Sequence, residues 1–122
     1  MPYVGARYPG APDDGGVEAG ANCQRFAYAL LRHNGRTIGD FRSSDLWSDT
    51  TDTYVVEEPV PLDLLLFNRT DEPWGAHVAV YLGDDLAIHL AKHVGRPAIW
   101  PLAEFASAPR YRCLVGIKRT RR

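Results

Sequence analysis

Apolar residues recur at steps of three and four from Cys23 through Phe26, Ala27, Leu30 and Leu31, the stripe of an amphipathic helix. Asn22 is placed to cap its start and Gly35 to stop it after His33 and Asn34. Upstream, residues 1–21 carry "YPGAPDDGG" and read as an extended, loop-rich segment. Residues 36–60 are polar and irregular, with "SSDLWSD" predicting a short helical turn capped by Ser44. "LDLLLFN" (62–68) is a continuous apolar run, the mark of a buried strand, and "RTDEPWG" is a turn. Beyond it, "HVAVYLGDDLAIH" (77–89) reads as a hairpin, and "PAIWPL" and "RYRCLVGIKR" supply two more strands. One helix followed by a run of strands, without internal repeats, predicts an α+β domain.

The hairpin can be read by parity, because side chains alternate faces along a strand. Val78, Val80 and Leu82 share one face of the first arm; His77, Ala79 and Tyr81 share the other. In the second arm Leu86, Ile88 and Leu90 oppose Ala87, His89 and Ala91. Keeping the bulky aliphatics on one side requires an odd loop, which Gly83, Asp84 and Asp85 supply. With Leu82 opposite Leu86, His89 falls opposite Ala79 and diagonal to His77, roughly 7–8 Å away at the backbone. Both histidines then lie on one face among alanines. An element packed closely against that face would explain the alanines, and the helix that begins at Cys23 is the expected one.

Composition narrows the class without naming a chemistry. The chain has 122 residues, 45% of them hydrophobic and 24% charged, which fits a single globular domain spanning 1–122. A net charge of −1 offers no global field for nucleic acid, and no apolar run reaches spanning length, so neither nucleic acid nor membrane is an expected partner. The ending is locally basic, with Arg110, Arg112, Lys118, Arg119, Arg121 and Arg122 after the last acid at Glu104. Residues 117–122 read as a solvated basic tail, with a phosphate or polyanion contact as the rarer alternative. No signal peptide opens the sequence, so a cytoplasmic protein is expected, or a secreted or cell-wall one if a leader has been removed. Two cysteines do not make a disulfide framework. Cys113, in a β-like run, reads as a small buried apolar residue.

Cys23 is different. Only the thiolate is a strong nucleophile, and both a helix N-terminus and a neighbouring imidazolium lower a thiol's pKa. Cys23 sits at the opening turn of its helix; His77 or His89 can provide the imidazole. A third polar group is needed to orient the base. His33 reads instead as a C-terminal helix residue and His93 as an exposed one past the second arm.

At these residues the sequence resembles a known family. "NCQRFAYALLRHNG", "PLDLLLF" and "HVAVYLGDDLAIHLA" follow one another as do three blocks of the NlpC-type papain-like cysteine peptidases, bacterial cell-wall endopeptidases. The resemblance covers about residues 22–100 and is most specific in the hairpin. It implies a papain-like fold, with the Cys-bearing helix against a mainly antiparallel sheet. It also implies Cys23 as nucleophile, His77 as general base and His89 as the residue that orients the base. The family's upstream tyrosine corresponds to Tyr3, with Tyr8 as rival; it, with Gln24 and Arg25, would supply oxyanion or substrate contacts beside the Cys23 backbone N–H. The expected substrate is a peptide or small amide, with no cofactor and no metal.

The chain also departs from the family pattern. The usual Asp-Cys-Ser-Gly is Asn22-Cys23-Gln24-Arg25, which leaves a peptidoglycan substrate open, and Leu62 stands where a Gly is usual. A cytoplasmic acyl- or amide-transfer enzyme would use the same thioester. From another class, Cys23, His77, His89 and His93 form a Cys-His₃ set, with "HLAKH" at a zinc-site spacing, and a catalytically dead binding module is the third alternative.

Overall fold

The computed structural model describes residues 23–90 and 96–122. Asn22, Tyr3, Tyr8, His93 and the loop-rich 1–21 segment lie outside the described residues. The periodic stripe forms helix α1 (Cys23–His33), followed by α2 (Ser43–Ser48). Strands β1 (Thr53–Val56), β2 (Leu64–Asn68), β3 (His77–Gly83), β4 (Leu86–Leu90) and β5 (Pro97–Pro101) come next, then α3 (Leu102–Ser107) and β6 (Cys113–Thr120). The strands form one sheet in the order β1-β6-β2-β3-β4-β5, antiparallel at every pairing. The α+β expectation, a Cys-bearing helix on a mainly antiparallel sheet, is met.

Strand β2 is central and covered on both faces, which is why it reads as an unbroken apolar run rather than an alternation. On one face Ala27, Tyr28 and Leu31 of α1 pack with Leu64, Leu66, Val78 and Val80. On the other, Leu65, Phe67, Ala79, Tyr81, Ala87 and Ile117 pack with Phe105 of α3 and with Tyr111. Parity therefore divides the hairpin as expected, but the helix that begins at Cys23 covers the aliphatic face. The alanines are small because aromatic rings lie over them. Phe105 stacks on Phe67 at 4.5 Å between centroids and is itself fully buried.

The hairpin loop also differs from the reading. Asp84 and Asp85, with φ of 54° and 59°, form the two left-handed positions of a two-residue turn, and Gly83 pairs with Leu86. Leu82 becomes the extra residue of a bulge and is 38% exposed, while Val80↔Ile88 and Tyr81↔Ala87 keep the expected register. Ser44 does not cap α2: Arg42 holds the cap position with no side-chain bond, and Ser44 lies inside the helix, its carbonyl accepting from Ser48 Oγ. Leu62 adopts φ 77°, a left-handed position that a glycine takes freely and that strains a leucine.

The basic ending is not a tail as far as Thr120. Lys118 is buried and donates from Nζ to the carbonyls of Trp47 and Asp49, and Arg119 grips buried Asp63 through two 2.9 Å bonds. The Trp47 ring lies directly on Gly116, where any Cβ would stand 2.2 Å from it, so glycine is required for this close approach. Cys113 is only partly buried. Among the described residues no helix is long and apolar enough to cross a membrane.

Candidate active site

Helix α1 starts at Cys23, so the Cys23 N–H belongs to the first turn, where backbone donors lack intrahelical partners. Gln24 ties this end of the helix to the sheet: its Nε2 donates to the Ala76 carbonyl at 3.3 Å. The Cys23 thiol meets the backbone of Val78, one residue along the strand from His77. Burial pushes the thiol up to about 11; the backbone groups of Val78, Gln24 and Cys23 itself pull the other way. Burial thus favours the neutral thiol over the thiolate.

His77 is half-buried at the start of β3, and His89 is fully buried on β4. Their ring nitrogens, His77 Nε2 and His89 Nδ1, are 2.9 Å apart, and the rings stand nearly perpendicular at 85°. One of these nitrogens donates and the other accepts. The diagonal placement read from the sequence has become a direct hydrogen bond.

Aromatic rings fix both imidazoles. Tyr111 stacks on His77 at 4.5 Å, with 25° between the planes. Around His89 stand Trp100 at 4.3 Å, Phe105 at 4.7 Å and Tyr111 at 6.1 Å. Sequence reasoning missed all three rings. A signal existed for Trp100, because the β4–β5 register pairs His89 with Ala98 and Ala87 with Trp100, which puts the indole on the histidine face. Nothing local marked Phe105 or Tyr111, which arrive from α3 and the turn after it.

Of the residues picked from sequence, Cys23 meets the backbone of Val78, the residue after His77, Gln24 bonds the Ala76 carbonyl before it, and His77 bonds His89. Arg25 is half-buried one residue further along α1. Among the described residues no group of three or more His, Cys, Asp or Glu side chains is arranged to hold a metal ion; His93 lies outside them.

No protein-family model and no curated protein matches the sequence. Solved structures do. The chain is similar to an NlpC/P60 family protein from Bacillus cereus, with a TM-score of 0.66 and 23% identity over 97% of the chain. It is also similar to the NlpC/p60 domain of the peptidoglycan hydrolase SagA, with a TM-score of 0.54 and 27% identity over 85% of the chain. The chain has the NlpC/P60 fold. The resemblance read from its sequence is thereby borne out. The chain spans about a third of the Bacillus cereus protein (35%) and most of the SagA domain (84%). Within this NlpC/P60 frame, the paired histidines belong to the face roofed by α3, and the cysteine belongs to the helix on the opposite face.

Proposed function

We propose that the protein is a cysteine hydrolase of the peptidase or amidase type, acting on an amide bond of a peptide or peptidoglycan-like substrate. The observation that carries this reading is the 2.9 Å His77 Nε2–His89 Nδ1 bond, taken with a thiol at a helix start that meets the backbone of Val78, the residue after His77. With Nε2 bonded to His89, His77 would exchange the Cys23 proton through Nδ1. His89, buried among aromatic rings, holds that orientation and tautomer. The likeness to a peptidoglycan hydrolase domain supports the same class.

The chemistry proceeds in two halves. His77 takes the Cys23 proton as sulfur attacks the carbonyl carbon, so a thiol that burial keeps neutral becomes a thiolate only as it reacts. The oxyanion is met by the Cys23 backbone N–H with a second donor, for which Tyr3 and the neighbouring Gln24 are the proposed sources, while Arg25 is proposed to contact substrate. Collapse breaks the C–N bond, His77 returns the proton to the departing amine, and a thioester remains on Cys23. Water, deprotonated by His77, then releases the acid and restores the thiol. An amine in place of water would turn the same site to acyl transfer.

Intact-mass analysis during turnover of peptide amides tests this. The expected result is an acyl adduct on Cys23 that disappears, with all activity, in Cys23→Ala. Full activity of Cys23→Ala would overturn the assignment.

A further inference from the structure

The basic residues near the chain's end divide into two sets. Lys118, Arg119 and Arg121 are committed internally, to the carbonyls of Trp47 and Asp49, to Asp63, and to the Thr50 carbonyl. Arg110 and Arg112 instead join Arg69 around a groove of about 590 Å³ whose lining is completed by Ala108, Pro109 and Tyr111. Among the described residues no acidic side chain lines it. None of the three arginines makes an ion pair among the described residues.

The cluster is also held in place. Arg112 Nε donates to the Arg69 carbonyl at 2.9 Å, drawing the two arginine-bearing segments together across the end of β2 and β6. Gathering like charges without a counter-charge costs free energy that a bound anion would return. Planar guanidinium forks suit a carboxylate or phosphate. The groove's floor, Tyr111, is the ring that stacks on His77.

We propose that this groove binds an oxyanion, a carboxylate or phosphate carried by the substrate, and sets that group beside His77. The binding claim stands alone; its consequence for turnover rests on the Cys23–His77 reading above. An exposed cluster of this kind reads charge rather than shape, and its affinity falls with added salt.

The test titrates inorganic phosphate, and separately succinate, into the ¹⁵N-labelled protein at constant ionic strength. Saturable amide shifts are expected at Arg69, Ala108, Arg110, Tyr111 and Arg112, with affinity weakened about tenfold in the Arg69→Gln/Arg110→Gln double variant and unchanged in Arg36→Gln. Tighter binding of phosphate assigns the phosphoryl source, and tighter binding of succinate the carboxylate source. Absence of saturation, or undiminished affinity in the double variant, overturns the proposal. A second arm compares alkylation of Cys23 by anionic iodoacetate and neutral iodoacetamide. The double variant is expected to lower the iodoacetate-to-iodoacetamide rate ratio several-fold while leaving the iodoacetamide rate unchanged. An unchanged ratio would overturn the placement beside His77. Failure of iodoacetamide to prefer Cys23 over Cys113 would instead sink the nucleophile reading, leaving the phosphate result to stand on its own.

Discussion

The two faces of the sheet are built from the same strands and do different work. On the α1 face the contacts are aliphatic, with Leu64, Leu66, Val78 and Val80 fully buried under Ala27 and Leu31. On the α3 face the strands present alanines and two imidazoles, and the covering residues are the rings of Phe105, Tyr111 and Trp100. Aliphatic packing holds a backbone in place and tolerates no polar group without a partner. Aromatic rings can sit edge or face against an imidazole and hold it at a set angle. Alternation along β3 thus lets Val78 serve stability while its neighbour His77 serves chemistry in the proposed mechanism.

The difference can be tested from both sides. Replacing His77 by Ala is expected to slow acyl-enzyme formation by about 10²–10⁴-fold, because the proposed general base is lost, with only about 1–3 kcal/mol of stability lost with the bond to buried His89. On the opposite face, Leu66→Ala is expected to destabilise by about 2–5 kcal/mol in denaturant titrations, yet leave the reactivity of the folded fraction as it was. A smaller and mixed effect is expected from Phe105→Leu. Losing ring contacts to Phe67 and His89 costs about 1–2 kcal/mol, and the loosened His89 lowers turnover several-fold. If that variant lost stability alone, the aromatic roof would be packing and nothing more.

The last effect concerns pH and shows only in alkali. Burial lifts the Cys23 thiol from an ordinary 9.0 to about 11, so the unfolded chain gives up this proton first as pH rises. Stability contributed by the buried neutral thiol is intact below pH 9 and is lost between about pH 9 and 11, by at most about 2–3 kcal/mol. Denaturation curves across that window should flatten in Cys23→Ala.

How much of this was legible in the sequence follows from which signals are local. The α1 stripe, the β2 apolar run and the parity of His77 and His89 depend on periodicity alone, and each has its counterpart in the structure. What covers the histidine face did not, since an alanine admits a helix or a ring equally well. Strand β1 was hidden because it is an edge strand whose Tyr54 and Val55 remain exposed among polar neighbours. Helix α3 is six residues long, too short for a period to emerge after "PAIWP". Lys118 read as tail because its burial depends on carbonyls of Trp47 and Asp49, about seventy positions away in sequence.

The proposed site stands or falls on whether the buried Cys23 thiol is made reactive by His77. Iodoacetamide labelling of both cysteines as a function of pH, read by peptide mass, tests this most directly. The expected result is that Cys23 is labelled faster than Cys113 near neutral pH, and that His77→Ala abolishes this preference, leaving a Cys23 whose labelling rises only toward about pH 11. A wild-type Cys23 labelled no faster than Cys113, or a preference that survives His77→Ala, would contradict it.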